Sequence, residues 1–118
     1  VSEQEELVPW LRPKIERDLS EWRDREAHFL AAREREGDYL YFEARERAAQ
    51  LETELAVLDE HAIVRVGYKD SRGIDRLSCE CATCGLGGPP DSYPCQTVRL
   101  LGCGYRFRPG YREAEWKP

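Results

Sequence analysis

The chain predicts an α+β fold, mainly α. An antiparallel two-helix hairpin fills residues 1–61. A small β-hairpin with a cysteine knuckle, a third helix and an aromatic C-terminal tail fill residues 62–118. Two long stretches repeat apolar residues at helical spacing. At Ile63 the pattern changes to short β-branched alternation, and three cysteines fall within Cys79–Cys84. At 118 residues the whole is expected to be one domain with a thin core.

The first helix is read over Ser2 to Glu36. Leu7, Leu11, Ile15, Leu19, Trp22 and Phe29 follow steps of three, four and seven, which keeps them on one helical face. Proline suits a first helical turn and is costly in a helix interior. Pro9 and Pro13 therefore predict that the regular helix starts between them or kinks there. Gly37 and Asp38 supply a stop and a new N-cap. In the second helix, Tyr39 to His61, the residues Tyr41, Ala44, Ala48, Leu51, Leu55, Leu58 and Ala62 alternate steps of three and four. That is a heptad seam, and the first helix is an available partner for it. A homodimer through the helices is the alternative use of the same seam.

I-V-R-V-G-Y and I-D-R-L-S-C read as two short strands joined by the turn K-D-S-R-G. G-L-G-G-P-P-D-S-Y-P reads as a loop. Pro94 opens a third helix running to about Tyr105, with Asp91 or Ser92 near its cap and Val98, Leu101 and Tyr105 on one face. The tail is expected to pack Tyr111 and Trp116 back onto the hairpin.

Charged residues form 35% of the chain against a typical share of about 25%. Apolar residues still reach 41%, which fits charged helices with narrow apolar stripes rather than disorder. Residues 1–61 carry a net charge of −8 and residues 62–118 a net of +3, giving −5 in all. That balance argues against nonspecific nucleic-acid binding by the whole molecule and leaves a local basic surface open. No apolar run approaches the length of a membrane span. A cytoplasmic setting is expected, where stable disulfides are uncommon. Arg outnumbers Lys fifteen to three and Asn and Met are absent, the bias of a GC-rich genome, in which Val1 fits a translated GTG start.

C-A-T-C-G is the most specific local signal. Cysteines at i and i+3 hold one tetrahedral ion, and a following Gly permits the positive φ of a knuckle. Cys81 and Cys84 form this pair. Cys95 is the third ligand, at a helix start where the dipole favours a thiolate. His61, at the end of the second helix, is favoured as the fourth over Cys79. The expected cofactor is one structural Zn²⁺ per chain. A redox pair, an iron–sulfur cluster and a Cys–His nucleophile and base are the competing readings. Cys103 is read as a small buried hydrophobe and His28 is given no role.

L-D-E-H at residues 58–61, C-A-T-C-G, and the run from Tyr93 to Pro118 together resemble an uncharacterised family of small actinobacterial and actinophage proteins. Its members carry a Pro-Cys-x-Thr-x-Arg helix before an ending that holds Pro-x-Tyr and then Trp-x-Pro, matched here by Pro109–Tyr111 and Trp116–Pro118. The likeness is specific over residues 93–118 and looser from Phe29 to His61. Members usually have His where this chain has Arg108, and an Ala-x-x-Tyr run where it has Gly102-Cys103-Gly104-Tyr105. The resemblance implies the ligand set His61, Cys81, Cys84 and Cys95, an actinobacterial or phage origin, and no particular activity.

The leading expectation is a nonenzymatic adaptor that presents an acidic helical face and an Arg-rich aromatic tail to a protein partner. No Ser-His-Asp set, phosphate loop or H-E-x-x-H occurs. The second reading is a zinc-containing transcriptional regulator, with Arg99, Arg106, Arg108 and Arg112 interleaved with Tyr105, Phe107 and Tyr111 as its nucleic-acid surface. A thiol redox sensor and a metal-dependent enzyme with an open metal position are the remaining alternatives.

Overall fold

The computed structural model describes residues 7–84 and 94–118. Its element order is α1 (Leu7–Ala31), α2 (Arg33–Glu36), α3 (Tyr39–Glu60), β1 (Ile63–Lys69), β2 (Asp75–Cys81), α4 (Gln96–Cys103) and α5 (Glu113–Trp116). The expected cap residues Asp91 and Ser92, the loop around them and Gly85 lie outside the described residues. The chain divides into two compact units. One is Arg12–Ala56, and the other combines the residues up to Leu11 with Val57–Pro118.

In the first unit the two apolar stripes are legible as burial. Ile15 of α1 and Ala44, Ala48 and Leu51 of α3 are fully buried, while Leu19, Trp22 and Leu55 are half-buried. Arg23 of α1 bonds Glu26 at 2.8 Å and also reaches Glu52 of α3. Between the helices Gly37 takes φ +80°, a region L side chains rarely adopt, and the Asp38 carbonyl accepts the first α3 bond from Phe42 at 2.9 Å. The Asp38 carboxylate accepts from Arg33 Nε at 2.6 Å. That hydrogen bond, and then the charge of the same guanidinium, holds the Asp38 carboxyl below its usual range.

The expected start of the first helix between the prolines is corrected. α1 is continuous from Leu7 through Pro13. Pro13 removes the N–H that would bond the Pro9 carbonyl, which is the ordinary reason a helix stops. Both prolines are exposed here, four residues apart on the outer side of the helix. The freed carbonyl is therefore on the solvent side, where water takes the lost bond, and the buried side carrying Leu7, Leu11 and Ile15 keeps its ladder.

In the second unit β1 and β2 form a two-stranded antiparallel sheet with Ile63 opposite Cys81 and Lys69 opposite Asp75. The turn is closed by Asp70. Its Oδ1 accepts from the backbone N–H of Arg72 at 2.8 Å and of Ile74 at 3.0 Å, and Gly73 takes φ +77°. The Ile74 N–H, helped by the Arg72 N–H and the Arg76 guanidinium, holds the Asp70 carboxyl below its usual range. β2 runs two residues further than the alternation suggested. The ladder continues beyond it, with the Ala82 N–H donating to the Ala62 carbonyl at 2.9 Å.

α4 begins later than expected. Pro94 precedes the helix, and Cys95 is its N-cap in extended conformation (φ −69°, ψ 168°). Val98 and Tyr105 are buried and Leu101 is half-buried, so the predicted face is the buried one. A Cβ on Gly102 would meet Leu7 Cδ1 at 3.0 Å, so the glycine lets α4 approach the start of α1 closely. A series of tight turns follows α4, and the tail then closes onto Trp10. Trp10, Tyr111 and Trp116 have ring centroids 5.3–5.7 Å apart, and Trp10 Nε1 donates to the Pro109 carbonyl at 3.2 Å. The tail therefore packs on the first turns of α1.

Gly110 is the constrained point of this closure. Its φ is +91°, and a Cβ there would sit 2.7 Å from Trp10 Nε1. Gly110→Ala is expected to cost about 1–3 kcal/mol in chemical denaturation followed by tryptophan fluorescence. Gly67→Ala, with nothing within 4 Å of the added carbon, should stay within about 0.5 kcal/mol of wild type or gain slightly.

Candidate metal centre

Three elements of the second unit end at one place. α3 ends at Glu60, and His61 follows it with its N–H still bonded to the Val57 carbonyl at 3.0 Å. β2 ends at Cys81, and Cys84 closes the turn after it. Cys95 caps α4. His61 Nδ1 lies 3.4 Å from Cys81 Sγ, 3.2 Å from Cys84 Sγ and 3.5 Å from Cys95 Sγ. All four donor atoms lie within 4.8 Å of one another, and no cysteine is in a disulfide.

The donor set fits a tetrahedral ion. Bonds of about 2.3 Å to sulfur and about 2.0–2.1 Å to nitrogen place nitrogen about 3.6 Å from sulfur, and two sulfurs about 3.8 Å apart. The observed nitrogen–sulfur separations are within about 0.4 Å of that. Thiolate and imidazole donors suit a borderline or soft transition ion and not magnesium or calcium, which take oxygen. His61, Cys81, Cys84 and Cys95 are thus positioned to bind a metal ion. Among the described residues no other group of three or more His, Cys, Asp or Glu donors converges in this way.

The knuckle is held by its own backbone. The Cys84 N–H donates to Cys81 Sγ at 3.4 Å, so the turn of Ala82 and Thr83 wraps one sulfur with an amide. The Thr83 hydroxyl donates to the Glu60 carbonyl, one of the carbonyls an α-helix end leaves without a partner. This bond ties the knuckle to the end of α3 beside His61. Arg99 does the same work for Cys95. Its Nε donates to the Pro94 carbonyl at 2.9 Å, and its Nη1 donates to the carbonyls of Glu115 at 2.7 Å and Lys117 at 3.4 Å. Neither Thr83 nor Arg99 stood out as a positioning residue in the sequence. Arg99 was read there as part of a basic cluster and as the Arg of the Pro-Cys-x-Thr-x-Arg run.

The electrostatics of the sulfurs divide. Burial pushes the Cys81 thiol up, but the backbone N–H groups of Cys84 and Thr83, followed by His61 and Cys95, outweigh it and bring the thiol down to about 7. Burial pushes Cys95 up to about 11; the Val98 N–H works against this, and the neighbouring Cys81 and Cys84 sulfurs add to it. The helix start therefore favours a thiolate at Cys95 in sign, as expected, yet burial among sulfurs is the larger effect. A cation at the centre of the four donors offsets both the burial and the mutual repulsion of thiolates.

Cys79 stands outside the cluster. It faces Arg65 across the ladder, on the same side of β2 as Cys81. Strand alternation therefore does not separate the two cysteines. Distance along the strand does, because two residues advance it by about 6.8 Å. Cys103 ends α4 half-buried, with Arg106 Nη1 3.7 Å from its sulfur, and His28 is exposed on α1.

The purified protein is expected to carry one equivalent of metal per chain. Cys81→Ser, Cys84→Ser and Cys95→Ser should each lose most of it, and Cys79→Ala, Cys103→Ala and His28→Ala should keep it. Elemental analysis of the six variants checks this, and full occupancy in Cys84→Ser contradicts the assignment. Protons compete for the thiolates, so affinity measured by chelator competition should fall as pH falls.

No protein-family model, curated protein or solved structure matches the chain.

Proposed function

We propose that this is a small nonenzymatic interaction protein whose C-terminal unit is stapled by one structural zinc ion. The observation that carries the reading is the convergence of four protein donors within 4.8 Å of one another. Zinc is the ion that one imidazole and three thiolates most commonly hold in this geometry, and a site closed by four protein ligands keeps no position for water. A closed site stabilises a fold and does not activate a substrate.

In this reading the ion joins three segments distant in sequence: the end of α3, the end of β2 and the start of α4. β1 contributes little burial of its own, since it has no fully buried residue, and β2 is buried only over its last four residues, next to the donors. Structural zinc contributes about 10 kcal/mol or more in small zinc modules, which is comparable to the whole stability of a domain. We further propose that α1 and α3 pack as an antiparallel hairpin. Support comes from the Arg23–Glu52 ion pair and from the burial of Ile15, Ala44, Ala48 and Leu51. The acidic outer faces of these helices and the Arg-rich turns around exposed Phe107 are offered to a protein partner in a bacterial or phage-infected cytoplasm. No described helix is long and apolar enough to cross a membrane.

A regulator that binds nucleic acid is the second reading. What favours it is Phe107, 87% exposed, with the Arg106 guanidinium 4.5 Å from its ring centre. Against it stands Arg99, whose guanidinium is spent on backbone carbonyls of the ligand loop and tail. Binding to mixed-sequence DNA that weakens steeply with salt and is abolished in Arg106→Ala would establish the second reading. The adaptor reading expects no such binding.

Chelation tests the staple. Hydrogen exchange should show β1, β2 and α4 losing protection when the ion is removed. The helices of Arg12–Ala56 should keep part of theirs, although isolated helices are marginal in water. Equal protection of β2 and α4 with and without the ion contradicts the proposal.

A further inference from the structure

The four donors differ sharply in accessibility. Cys81 is 2% exposed and Cys95 8%, whereas Cys84 is exposed on the turn after β2. A closed metal site needs all of its sulfurs for stability, yet one of them belongs to an exposed residue. A metal-bound thiolate keeps nucleophilic character, and oxidation selects thiolates by access. The second sulfur a disulfide requires is also at hand. Cys81 and Cys84 lie at i and i+3 of one turn, a spacing that brings α-carbons within about 7 Å, and a disulfide spans about 4.4–6.8 Å. Cys95 belongs to a different element, far along the chain from this turn, and Cys103 lies apart from the cluster.

We propose that Cys84 is an oxidation site for hydroperoxides, and that Cys81 resolves it to a disulfide with release of the ion. This rests on the zinc reading above. The Cys84 sulfur attacks one oxygen of the hydroperoxide and the O–O bond breaks. The departing oxygen takes a proton and leaves as the alcohol, or as water when the oxidant is hydrogen peroxide, and Cys84 becomes the sulfenic acid. The Cys81 thiolate then attacks the Cys84 sulfur. The S–O bond breaks, and the hydroxide takes a second proton and leaves as water. Two thiolates have lost one electron each, one hydroperoxide has gained both, and the ion has lost two of its four ligands. A dithiol reductant reverses the sulfur chemistry and permits metal to return.

The test uses the full chain as purified, with metal content measured before oxidant is added. Hydrogen peroxide is then titrated in while released zinc is read with a chromogenic chelator, and cysteine peptides are mapped by mass. The expected result is one zinc released per Cys81–Cys84 disulfide, with Cys95 and Cys103 still thiols and both signals reversed by a dithiol. Cys84→His retains a fourth donor but lacks the exposed sulfur. Its zinc should be released about tenfold more slowly, the order expected when only buried thiolates remain. Zinc that stays bound with all thiols intact under excess peroxide overturns the proposal, as does first oxidation at Cys95 or Cys103. A protein purified without zinc instead overturns the structural-metal reading. In that case the mapped disulfide alone decides the oxidation site, its formation supporting Cys84 and its absence overturning it.

Discussion

Four side-chain donors from three chain segments meet within 4.8 Å of one another, and α3, β2 and α4 each have an end at that meeting. Each donor is the last or first residue of something. His61 follows α3, Cys81 ends β2, Cys84 closes the turn and Cys95 caps α4. Three element boundaries therefore coincide at the cluster. A two-stranded sheet is marginal by itself in water. This one is anchored at the His61 and Cys81 end and exposed at the other, where Ile74 and Leu77 are 47% and 66% accessible. Burial rises along β2 toward the cluster, from exposed Asp75 to buried Ser78, Cys79, Glu80 and Cys81.

A second set of contacts also holds α4. Leu7 packs on Gly102, Trp10 closes over Tyr111 and Trp116, and Arg99 bonds the carbonyls of Pro94 and Glu115. Pro94 precedes the ligand Cys95, so Arg99 connects the ligand loop to the tail through a single guanidinium. The five donors of arginine in a fixed plane suit several carbonyls at once, which lysine would not match. This explains why an arginine at that position is half-buried instead of extending into solvent. The apolar closure around Trp10 and the polar cluster around His61 thus hold the same helix at different points.

The parts of the fold that follow from local periodicity were legible. The stripe of α1 and the seam of α3 predict Ile15, Ala44, Ala48, Leu51 and Leu58 as buried, because a helix repeats its faces every few residues regardless of context. The strand pair and its turn follow from alternation around K-D-S-R-G. His61, Cys81, Cys84 and Cys95 were legible as donors because knuckle spacing and helix ends are sequence-local signals. What was not legible depends on side or distance. Pro13 looks like a helix breaker until its exposure shows that the lost bond faces water. Trp10 meets Pro109, 99 residues away, and Thr83 meets Glu60 across 23, so no window of sequence contains either pair. Cys79 and Cys81 share a strand face, and only the rise per residue tells them apart.

The orientation of the two flanking helices completes the electrostatic account. α3 presents its C-terminal end beside His61, and α4 presents its N-terminal end through Cys95. Helix C-termini favour cations and N-termini favour anions, each by about 0.3–1 kcal/mol near a surface. An ion at the four donors would therefore have its positive charge beside the end of α3 and one thiolate at the start of α4. Three thiolates, a neutral imidazole and a divalent ion sum to a single negative charge, far less costly to bury than three uncompensated thiolates. The backbone N–H of Cys84 at Cys81 Sγ addresses the same residual charge from the knuckle. Helix ends, turn amides and donor set thus agree on one charge distribution, and a divalent metal centre would satisfy all three together where three neutral thiols and an imidazole would leave the helix ends without a counterpart.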